Sequence, residues 1–265
     1  MLLRVRGAIL AALLIRGCGS TATPGDDAGA ADLSATPPSD GGTTTAAAAT
    51  YLLTLDAGAF PPSAHPSALV YVPRGFDPTP PLSIVVFLHG FSNCVENVVR
   101  DAGGECTPGG GARAAYALAA QLEATGKNAI LLVPETDYDA QTGNPGTLGT
   151  AGGFRALVAE TLADLAGPLH GATVADVGTV IVASHSGGYQ AAAGIASKGG
   201  IPVEEIDLLD SLYGNLADFD AWAQAVGPGL RFADVYAQGG GTLANSQAMA
   251  TRAQAWVPAA QLLDD

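Results

Sequence analysis

Short apolar runs that alternate with helix-like stretches are the feature of this sequence that most restricts its fold. Runs of this kind are typical of parallel strands buried on both faces. The apolar runs lie at 82–88, 129–133, 177–183, 206–209 and 230–236, and the helix-like stretches at 112–124, 154–165, 189–197, 219–226 and 245–256. This order predicts an α/β fold, with a doubly wound, mostly parallel sheet, helices on both faces and a ligand crevice beyond the carboxyl ends of the strands.

Two further segments complete the predicted domain. Residues 51–56 and 68–73 alternate or cluster apolar side chains between proline-rich breaks, which predicts two opening strands, antiparallel at one sheet edge. Residues 136–153 contain two aspartates, a proline and several glycines, and they start at a predicted strand end. They predict a loop that borders the cleft.

The composition fits one domain of this kind with an N-terminal appendage. The chain has 265 residues, 48% of them hydrophobic, and its abundant glycine and alanine favour close packing of helices against a sheet. The formal net charge is -14, and the few Lys and Arg residues are scattered. Nucleic-acid binding needs clustered basic residues, so no nucleic-acid partner is expected.

The N-terminus has the organisation of an export signal. Arg4 and Arg6 precede an apolar run at 8–15 that is too short to span a bilayer, and Cys18 follows closely. The segment resembles a bacterial lipoprotein signal, which implies a lipidated Cys18 as the only membrane contact, although Arg16 departs from that pattern. The alternative is a signal peptide without lipidation, in which Cys18 is incidental and the product is secreted.

A low-complexity segment follows the signal. Residues 19–49 are rich in Gly, Ala, Ser, Thr, Pro and Asp and lack apolar periodicity, which predicts a disordered tether that holds a folded domain clear of a membrane. The chain therefore divides into a signal peptide at 1–17, a tether at 18–49 and an α/β domain at 50–265. An exported protein is expected, anchored to the cell envelope or secreted.

Cys94 and Cys106 are the cysteines of the domain. In an oxidising compartment the simplest interpretation is one disulfide that closes a short, glycine-containing loop. A zinc site is not expected, because neither cysteine has His or Cys partners at ligand spacing. No pattern in the sequence predicts another metal or an organic cofactor.

Residues 177–197 form a strand, then the pentapeptide Ser184-His185-Ser186-Gly187-Gly188, then an alanine-rich helix. A nucleophile on such a tight turn needs small residues two positions before and after it, as Ser184 and Gly188 provide. The turn lifts the Ser186 hydroxyl to a helix N-terminus, where the Gly187 N–H can face a developing oxyanion. Here the sequence resembles the α/β-hydrolase superfamily, with Ser184 replacing the first Gly of the commonest G-x-S-x-G form. The alternative is an ordinary turn rich in Ser and Gly.

A second motif, His89-Gly90-Phe91, follows the apolar run at 82–88. It resembles the oxyanion loop of the same superfamily. The resemblance implies that the Phe91 N–H is the second oxyanion donor and that His89 shapes the loop rather than moving protons. The alternative for His89 is an ordinary, satisfied loop histidine.

Asp210 comes directly after the apolar run at 206–209, where a triad acid belongs. The resemblance implies that Asp210 orients the catalytic histidine and supports its charge. Asp234 is the second candidate, although it falls inside the next predicted strand. For either residue the alternative is a capping or solvated carboxylate.

The histidine of a triad has no candidate that fits. The superfamily places it after the last strand, C-terminal to nucleophile and acid, yet all four histidines precede Asp210. They are His65, His89, His170 and His185. His185 lies in the elbow, with its side chain expected to point away from the attacking side of Ser186. Few residues follow 245–256, so we expect the last strand and its histidine loop to be absent and the domain to be C-terminally incomplete.

The resemblance implies a serine hydrolase that forms an acyl-enzyme on Ser186, with a carboxylic ester or other small acyl compound as substrate and no cofactor. Two alternatives stay open: a serine peptidase, and a non-catalytic surface lipoprotein that uses the same fold for binding. The sequence predicts neither the identity of the substrate nor the oligomeric state.

Overall fold

The structure is a computed structural model that describes residues 2–5, 46–59, 65–141, 143–256 and 263–264. The strands are β1 (Leu2–Val5), β2 (Ala49–Leu53), β3 (Ala68–Val72), β4 (Leu82–Leu88), β5 (Gly104–Glu105), β6 (Ala112–Arg113), β7 (Ile130–Pro134), β8 (Val177–His185), β9 (Glu205–Leu209), β10 (Arg231–Val235) and β11 (Leu263–Asp264). The helices are α1 (Val95–Val99), α2 (Leu118–Thr125), α3 (Gly153–Asp164), α4 (Tyr189–Lys198), α5 (Leu216–Val226) and α6 (Leu243–Ala253).

Nine of these strands form one sheet in the order β11-β1-β10-β9-β8-β4-β7-β3-β2. The five central strands β7, β4, β8, β9 and β10 pair in parallel. At one edge β3 pairs antiparallel with β7 and with β2, and at the other edge β1 pairs antiparallel with β10 and with β11. Strands β5 and β6 pair separately as a small hairpin. The predicted mostly parallel, doubly wound sheet and its antiparallel opening strands are confirmed.

Helices cover both faces of the sheet, because alternate residues of the central strands are apolar on each side. On one face, buried residues of α1 and α2 pack with Phe87 and Val133. On the other face, α3, α4, α5 and α6 pack against a larger core that includes Val86, Val182 and Phe232. This two-sided packing buries the central strands almost completely.

The strand order places a crevice at the carboxyl ends of β4 and β8. After β4 the chain forms β7 on one side, and it then crosses to form β8 on the other side of β4. Such a reversal of direction leaves an opening beyond the strand ends, where ligands of open α/β sheets bind. Leu88 of β4 pairs in register with Ser184 of β8. The two predicted motifs therefore emerge side by side at this opening.

Several local predictions were wrong in their bounds. The strand predicted at 51–56 lies at Ala49–Leu53, and the helix predicted at 219–226 begins at Leu216. The helix predicted at 112–124 begins only at Leu118, because Ala112 and Arg113 form strand β6 instead. Strand β8 extends to His185, two residues beyond the predicted end. Helix α1 was not predicted at all, since its five residues are too few to show a helical period.

The structure describes little of the N-terminal segment for which the sequence predicts an export signal and a tether. Cys18 and the tether up to residue 45 lie outside the described residues. Leu2–Val5, in the predicted signal, form strand β1, which pairs antiparallel with the outer side of β10. Within the described ranges, none of the helices has the length and apolarity that a transmembrane span needs.

Candidate active site

Ser186 lies at the sharp junction between β8 and the helical turn that leads into α4. Its φ angle is 51°, in the left-handed region that a residue with a side chain rarely adopts. Backbone strain of this kind persists where the surrounding structure enforces it, and it is frequent at functional sites. The local geometry of Ser186 is therefore that of a nucleophile elbow.

The small residues on either side of Ser186 are required by contacts with β4. A Cβ atom added at Gly188 would lie 2.5 Å from the carbonyl oxygen of Leu88. Ser184 is completely buried, and its Oγ lies 2.8 Å from Ser211 Oγ. The Ser211 hydroxyl in turn donates to the carbonyl oxygen of Ser186 across 2.9 Å. Ser211, which sequence reasoning did not single out, thus fastens the elbow to the end of β9.

The backbone donors predicted for an oxyanion hole lie beside Ser186. A Cβ atom added at Gly90 would lie 2.6 Å from Ser186 Cβ and 3.2 Å from the Gly187 nitrogen. A Cβ atom added at Gly187 would lie 3.6 Å from the Phe91 nitrogen. Among the described residues, the Phe91 N–H has no hydrogen-bond partner. The backbone nitrogens of Phe91 and Gly187 therefore lie near each other beside Ser186.

The loop after β7 packs against this point, as its position in the sequence predicted. A Cβ atom added at Gly143 would overlap the carbonyl oxygen of Gly187. Within the same loop, the carbonyl oxygen of Tyr138 accepts a hydrogen bond from the Ser92 N–H across 2.7 Å. The loop therefore borders the crevice beside Ser186 and Phe91.

Asp210 is the first residue after β9 and is half-buried at the carboxyl end of the sheet. Its φ angle is 46°, and its N–H donates to the carbonyl oxygen of Val235 across 2.6 Å, which ties the turn to β10. Its Oδ1 accepts a hydrogen bond of 2.5 Å from Thr242 Oγ1. Thr242 was not predicted as a site residue, because its role depends on a contact across two loops.

His185, the residue before Ser186, is directed away from the open crevice. Its Nδ1 lies 3.0 Å from the Tyr116 hydroxyl, and the two rings meet edge to face with centroids 5.3 Å apart. Burial holds the pKa of His185 below the usual value of 6.5, the Asp210 carboxylate raises it in part, and His89 lowers it further. The expectation that His185 points away from Ser186 agrees with this packing.

Replacing Asp210 with Asn is expected to lower the pKa of His185 further, because the negative charge that favours the imidazolium would be gone. The measurement is an NMR titration of the imidazole resonances in wild type and variant. Asp220→Asn serves as the control, since Asp220 is bonded to Arg252 and Trp256 instead. An unchanged midpoint in Asp210→Asn would show that the two side chains do not interact.

Asp234 lies within β10 and is completely buried. Burial raises its pKa from 3.8 to about 7, opposed by the Ser246 side chain and reinforced by the charge of Asp210. A carboxyl group in this position is inside the sheet rather than at its carboxyl end. Asp210 is therefore better placed than Asp234 to reach a group above Ser186.

His89 is completely buried beneath the oxyanion loop, as its proposed shaping role requires. Its Nδ1 lies 3.1 Å from the carbonyl oxygen of Gly90, and its Nε2 lies 3.2 Å from Glu135 Oε1 and 3.1 Å from the Thr136 nitrogen. The Thr136 hydroxyl also donates to the carbonyl oxygen of His89 across 3.0 Å. These contacts occupy the ring on all sides and leave it no access to Ser186.

The predicted disulfide between Cys94 and Cys106 is present, with an S–S distance of 2.06 Å. Cys94 also belongs to a group with His65 and Glu96 whose potential ligand atoms lie within 4.8 Å of one another. Since the sulfur of Cys94 is bonded to Cys106, it offers no thiolate to a metal ion. We therefore assign no metal site to this group.

Each of the four histidines lies in the described part of the chain, and none is hydrogen-bonded to Ser186 there. His65 pairs with Glu96 at 3.3 Å, while His89 and His185 make the contacts given above. His170 lies in a turn that follows α3 and has a φ angle of 52°. The described residues thus bring Ser186, the backbone nitrogens of Gly187 and Phe91 and the side chain of Asp210 to the carboxyl end of the sheet, with none of the four histidines hydrogen-bonded to Ser186.

Comparison with known proteins returned no family model and no curated protein that matches this chain. Seven chains of solved structures are similar to it, and three of them are described here. A serine-to-alanine mutant of the feruloyl esterase module from Clostridium thermocellum, complexed with sinapinate, has a TM-score of 0.42 at 14% identity over 71% of this chain and 62% of that chain. A lipase in its open form has a TM-score of 0.30 at 15% identity over 61% and 47%.

The third is brefeldin A esterase, a bacterial homologue of human hormone-sensitive lipase, with a TM-score of 0.31 at 14% identity over 84% of this chain and 55% of that chain. This chain therefore spans between about half and three fifths of the length of these structures. The fold class of this chain follows from its strand order. It is a mostly parallel α/β protein, and Ser186 lies in the crevice at the carboxyl ends of β4 and β8, where the strand order reverses.

Proposed function

We propose that this protein is an exported serine hydrolase that cleaves carboxylic esters through an acyl-enzyme on Ser186. The observation that carries the proposal is that the Phe91 and Gly187 backbone nitrogens lie near each other beside the strained Ser186. Two backbone donors fixed at one point stabilise the negative charge that develops on a carbonyl oxygen under attack. An ordinary turn rich in Ser and Gly would have no need of such donors.

In the proposed reaction, Ser186 Oγ attacks the acyl carbon of the ester and loses its proton. The carbonyl oxygen becomes an oxyanion held by the Phe91 and Gly187 N–H groups, and its collapse expels the alcohol, which takes up a proton. Water then attacks the acyl-serine in the same way and releases the carboxylic acid. Asp210 would orient and support a histidine base.

The described residues do not supply that base. Its absence limits the rate of ester hydrolysis that we expect. Removing a triad member still leaves about 10³- to 10⁴-fold catalysis over water from the oxyanion hole and substrate binding. The chain of 265 residues is therefore expected to hydrolyse activated esters slowly rather than not at all. The absence of a histidine beside Ser186 among the described residues also supports the second candidate, a binding protein on the same fold.

Export and anchoring belong to the same proposal. They are supported by the basic and apolar pattern of the first 17 residues, by Cys18 for a lipid anchor, and by the disulfide between Cys94 and Cys106. Structural disulfides persist in oxidising compartments outside the cytosol. A small ester or acyl compound is the proposed substrate, since the net charge of -14 does not favour polyanionic partners.

Hydrolysis of p-nitrophenyl acetate and butyrate, compared with p-nitroanilide peptides, tests the proposed activity. Wild type is expected to release nitrophenol above the buffer rate, and Ser186→Ala to return that rate to background. Ser197→Ala is the matched control, since the Ser197 hydroxyl only donates to Ala193 O within α4. Preferential cleavage of the anilides would indicate a peptidase. Equal rates in wild type and Ser186→Ala would leave the binding protein as the better interpretation.

A further inference from the structure

Glu135 is a buried carboxylate for which the proposed reaction has no direct use. It follows β7 directly, and its side chain is only 2% exposed. Its backbone N–H donates to the carbonyl oxygen of Ser67, beside the start of β3, across 3.0 Å. Glu135 is thus held by two strands of the sheet, and its side chain lies beneath the oxyanion loop.

The two oxygens of this carboxylate contact the two ends of one short segment. Oε1 lies 3.2 Å from His89 Nε2, and Oε2 accepts a hydrogen bond of 3.0 Å from the Val95 N–H. The segment between these contacts, residues 90–94, contains Phe91. One side chain, fixed to the sheet, therefore holds both ends of the segment that presents the second oxyanion donor.

The backbone hydrogen bonds of residues 90–94 do not involve the Phe91 N–H. The Ser92 N–H donates to Tyr138 O across 2.7 Å, and the Asn93 N–H donates to Gly90 O across 3.3 Å. The Phe91 N–H has no partner among the described residues, so its direction is set by its neighbours. A donor left free for an incoming oxyanion depends on rigid attachment of the chain on either side of it.

A pair of buried ionisable groups is a poor source of stability, because the desolvation of both groups offsets their attraction. Here Oε2 accepts the hydrogen bond from Val95, whereas Oε1 faces His89 Nε2 at 3.2 Å without a hydrogen bond among the described residues. The effect of such a buried pair is to select one geometry. We propose that Glu135 is a positioning residue of the oxyanion loop, which holds the Phe91 N–H in line with Ser186 through His89 and Val95. This role of Glu135 rests on the proposed function, in which the Phe91 N–H binds the oxyanion.

Three variants distinguish positioning of the oxyanion loop by Glu135 from a contribution of Glu135 to the stability of the whole fold. Glu135→Leu removes both contacts, whereas Glu135→Gln keeps an acceptor for the Val95 N–H and a partner for His89 Nε2. Glu160→Leu is the matched control, because the Glu160 carboxylate likewise accepts two backbone N–H groups, those of Asp56 at 2.9 Å and Ala57 at 2.6 Å. Glu160 makes these contacts outside the oxyanion loop.

The first measurement is backbone amide hydrogen exchange, which does not depend on activity. In Glu135→Leu, the hydrogen-bonded amides of residues 92–95 are expected to exchange at least about tenfold faster, the factor that corresponds to one lost charge-assisted hydrogen bond. Amides in β4 and β7 are expected to keep their wild-type rates. Glu135→Gln is expected to resemble wild type, and Glu160→Leu to change only the amides near Asp56 and Ala57.

The second measurement is ester hydrolysis. In Glu135→Leu, kcat is expected to fall on the order of 10²-fold with KM nearly unchanged, because a displaced donor weakens only the transition state. Glu135→Gln is expected to recover most of kcat, and Glu160→Leu to retain it. A fall in kcat that Glu135→Gln does not recover would overturn the positioning role.

Val95→Pro provides a second route if Glu135→Leu does not fold. Proline has no N–H and is tolerated at the first position of a helix, where Val95 lies, and the preceding Cys94 has the extended backbone that proline requires. Faster exchange confined to the amides of residues 92–94 is expected, since proline leaves no amide proton at position 95. Unchanged exchange there would refute the role of Glu135 even if Ser186→Ala abolishes hydrolysis. Faster exchange together with full hydrolysis by Ser186→Ala would refute only the proposed function.

Discussion

Replacing Gly90 with Ala is expected to remove most of the ester hydrolysis and leave the protein folded. The new Cβ would lie 2.6 Å from Ser186 Cβ, 3.0 Å from His185 O and 3.2 Å from the Gly187 nitrogen, and none of these atoms is the end of a flexible side chain. The oxyanion loop must therefore move away from the elbow, and the Phe91 N–H moves with it. Loss of one oxyanion donor typically lowers kcat by roughly 10²- to 10³-fold.

Gly167→Ala is the matched control for this substitution. A Cβ atom added at Gly167 meets no atom within 4 Å, so this variant is expected to keep wild-type kcat. Both variants are to be compared by steady-state kinetics and by thermal melting. Wild-type kcat in a folded Gly90→Ala protein would show that the loop and the elbow do not act together on the substrate.

The largest effect on stability is expected at Asp234. A buried carboxyl group whose pKa is about 7 in the folded chain and 3.8 when unfolded holds its proton more tightly in the folded state. The free energy of unfolding therefore falls as the pH rises from 3.8 to about 7, and it is flat with respect to this group above that range. At 1.36 kcal/mol for each pKa unit, the loss is on the order of 4 kcal/mol.

Asp234→Asn is expected to remove this dependence, because an amide does not ionise. The difference in unfolding free energy between variant and wild type should shift by a few kcal/mol in favour of the variant between about pH 4 and about pH 8. Urea denaturation of both proteins at a series of pH values measures this difference. The free-energy cost of burying the amide does not vary with pH, so it does not affect the change in the difference between two pH values. A difference that does not change with pH would contradict the raised pKa.

Asp176→Asn is expected to change the pH dependence of the free energy of unfolding in the opposite direction. Hydrogen bonds from the N–H and hydroxyl of Thr173 lower the pKa of Asp176, so its contribution is present above the unfolded pKa and is lost as the pH falls. In this variant the loss of stability relative to wild type should be larger at neutral than at acidic pH. The opposite slopes follow from different causes: burial raises the pKa of Asp234, and hydrogen bonds to the charged carboxylate lower the pKa of Asp176.

The sequence predicted the sheet well because its central strands are buried on both faces. Strand β4 was predicted with its observed bounds, Leu82–Leu88, since a continuous apolar run of that length has few other interpretations. The hairpin of β5 and β6 was not predicted. Alanine-rich residues near 112 favour a helix locally, but Asn97 Nδ2 holds the chain extended by donating to Arg113 O and Ala114 O.

The candidate site was predictable only where its geometry is local. The elbow around Ser186 follows from five consecutive residues, and the neighbouring oxyanion loop follows from the pairing of two strand ends. The contacts of Ser211, Thr242 and Glu135 join segments that are far apart in sequence, and no spacing rule indicates them. The raised pKa of Asp234 likewise depends on burial by another element, which a single strand does not show.

The central claim is that Ser186 is a nucleophile set against two oxyanion donors, and covalent labelling with a fluorophosphonate probe tests it most directly. The wild-type chain is expected to gain the mass of one phosphonyl group, located by tandem mass spectrometry on the peptide that contains Ser186. Ser186→Ala is expected to gain none, and Ser197→Ala to label like wild type. Equal labelling of wild type and Ser186→Ala, or no adduct on Ser186 in the wild-type chain, would contradict the account.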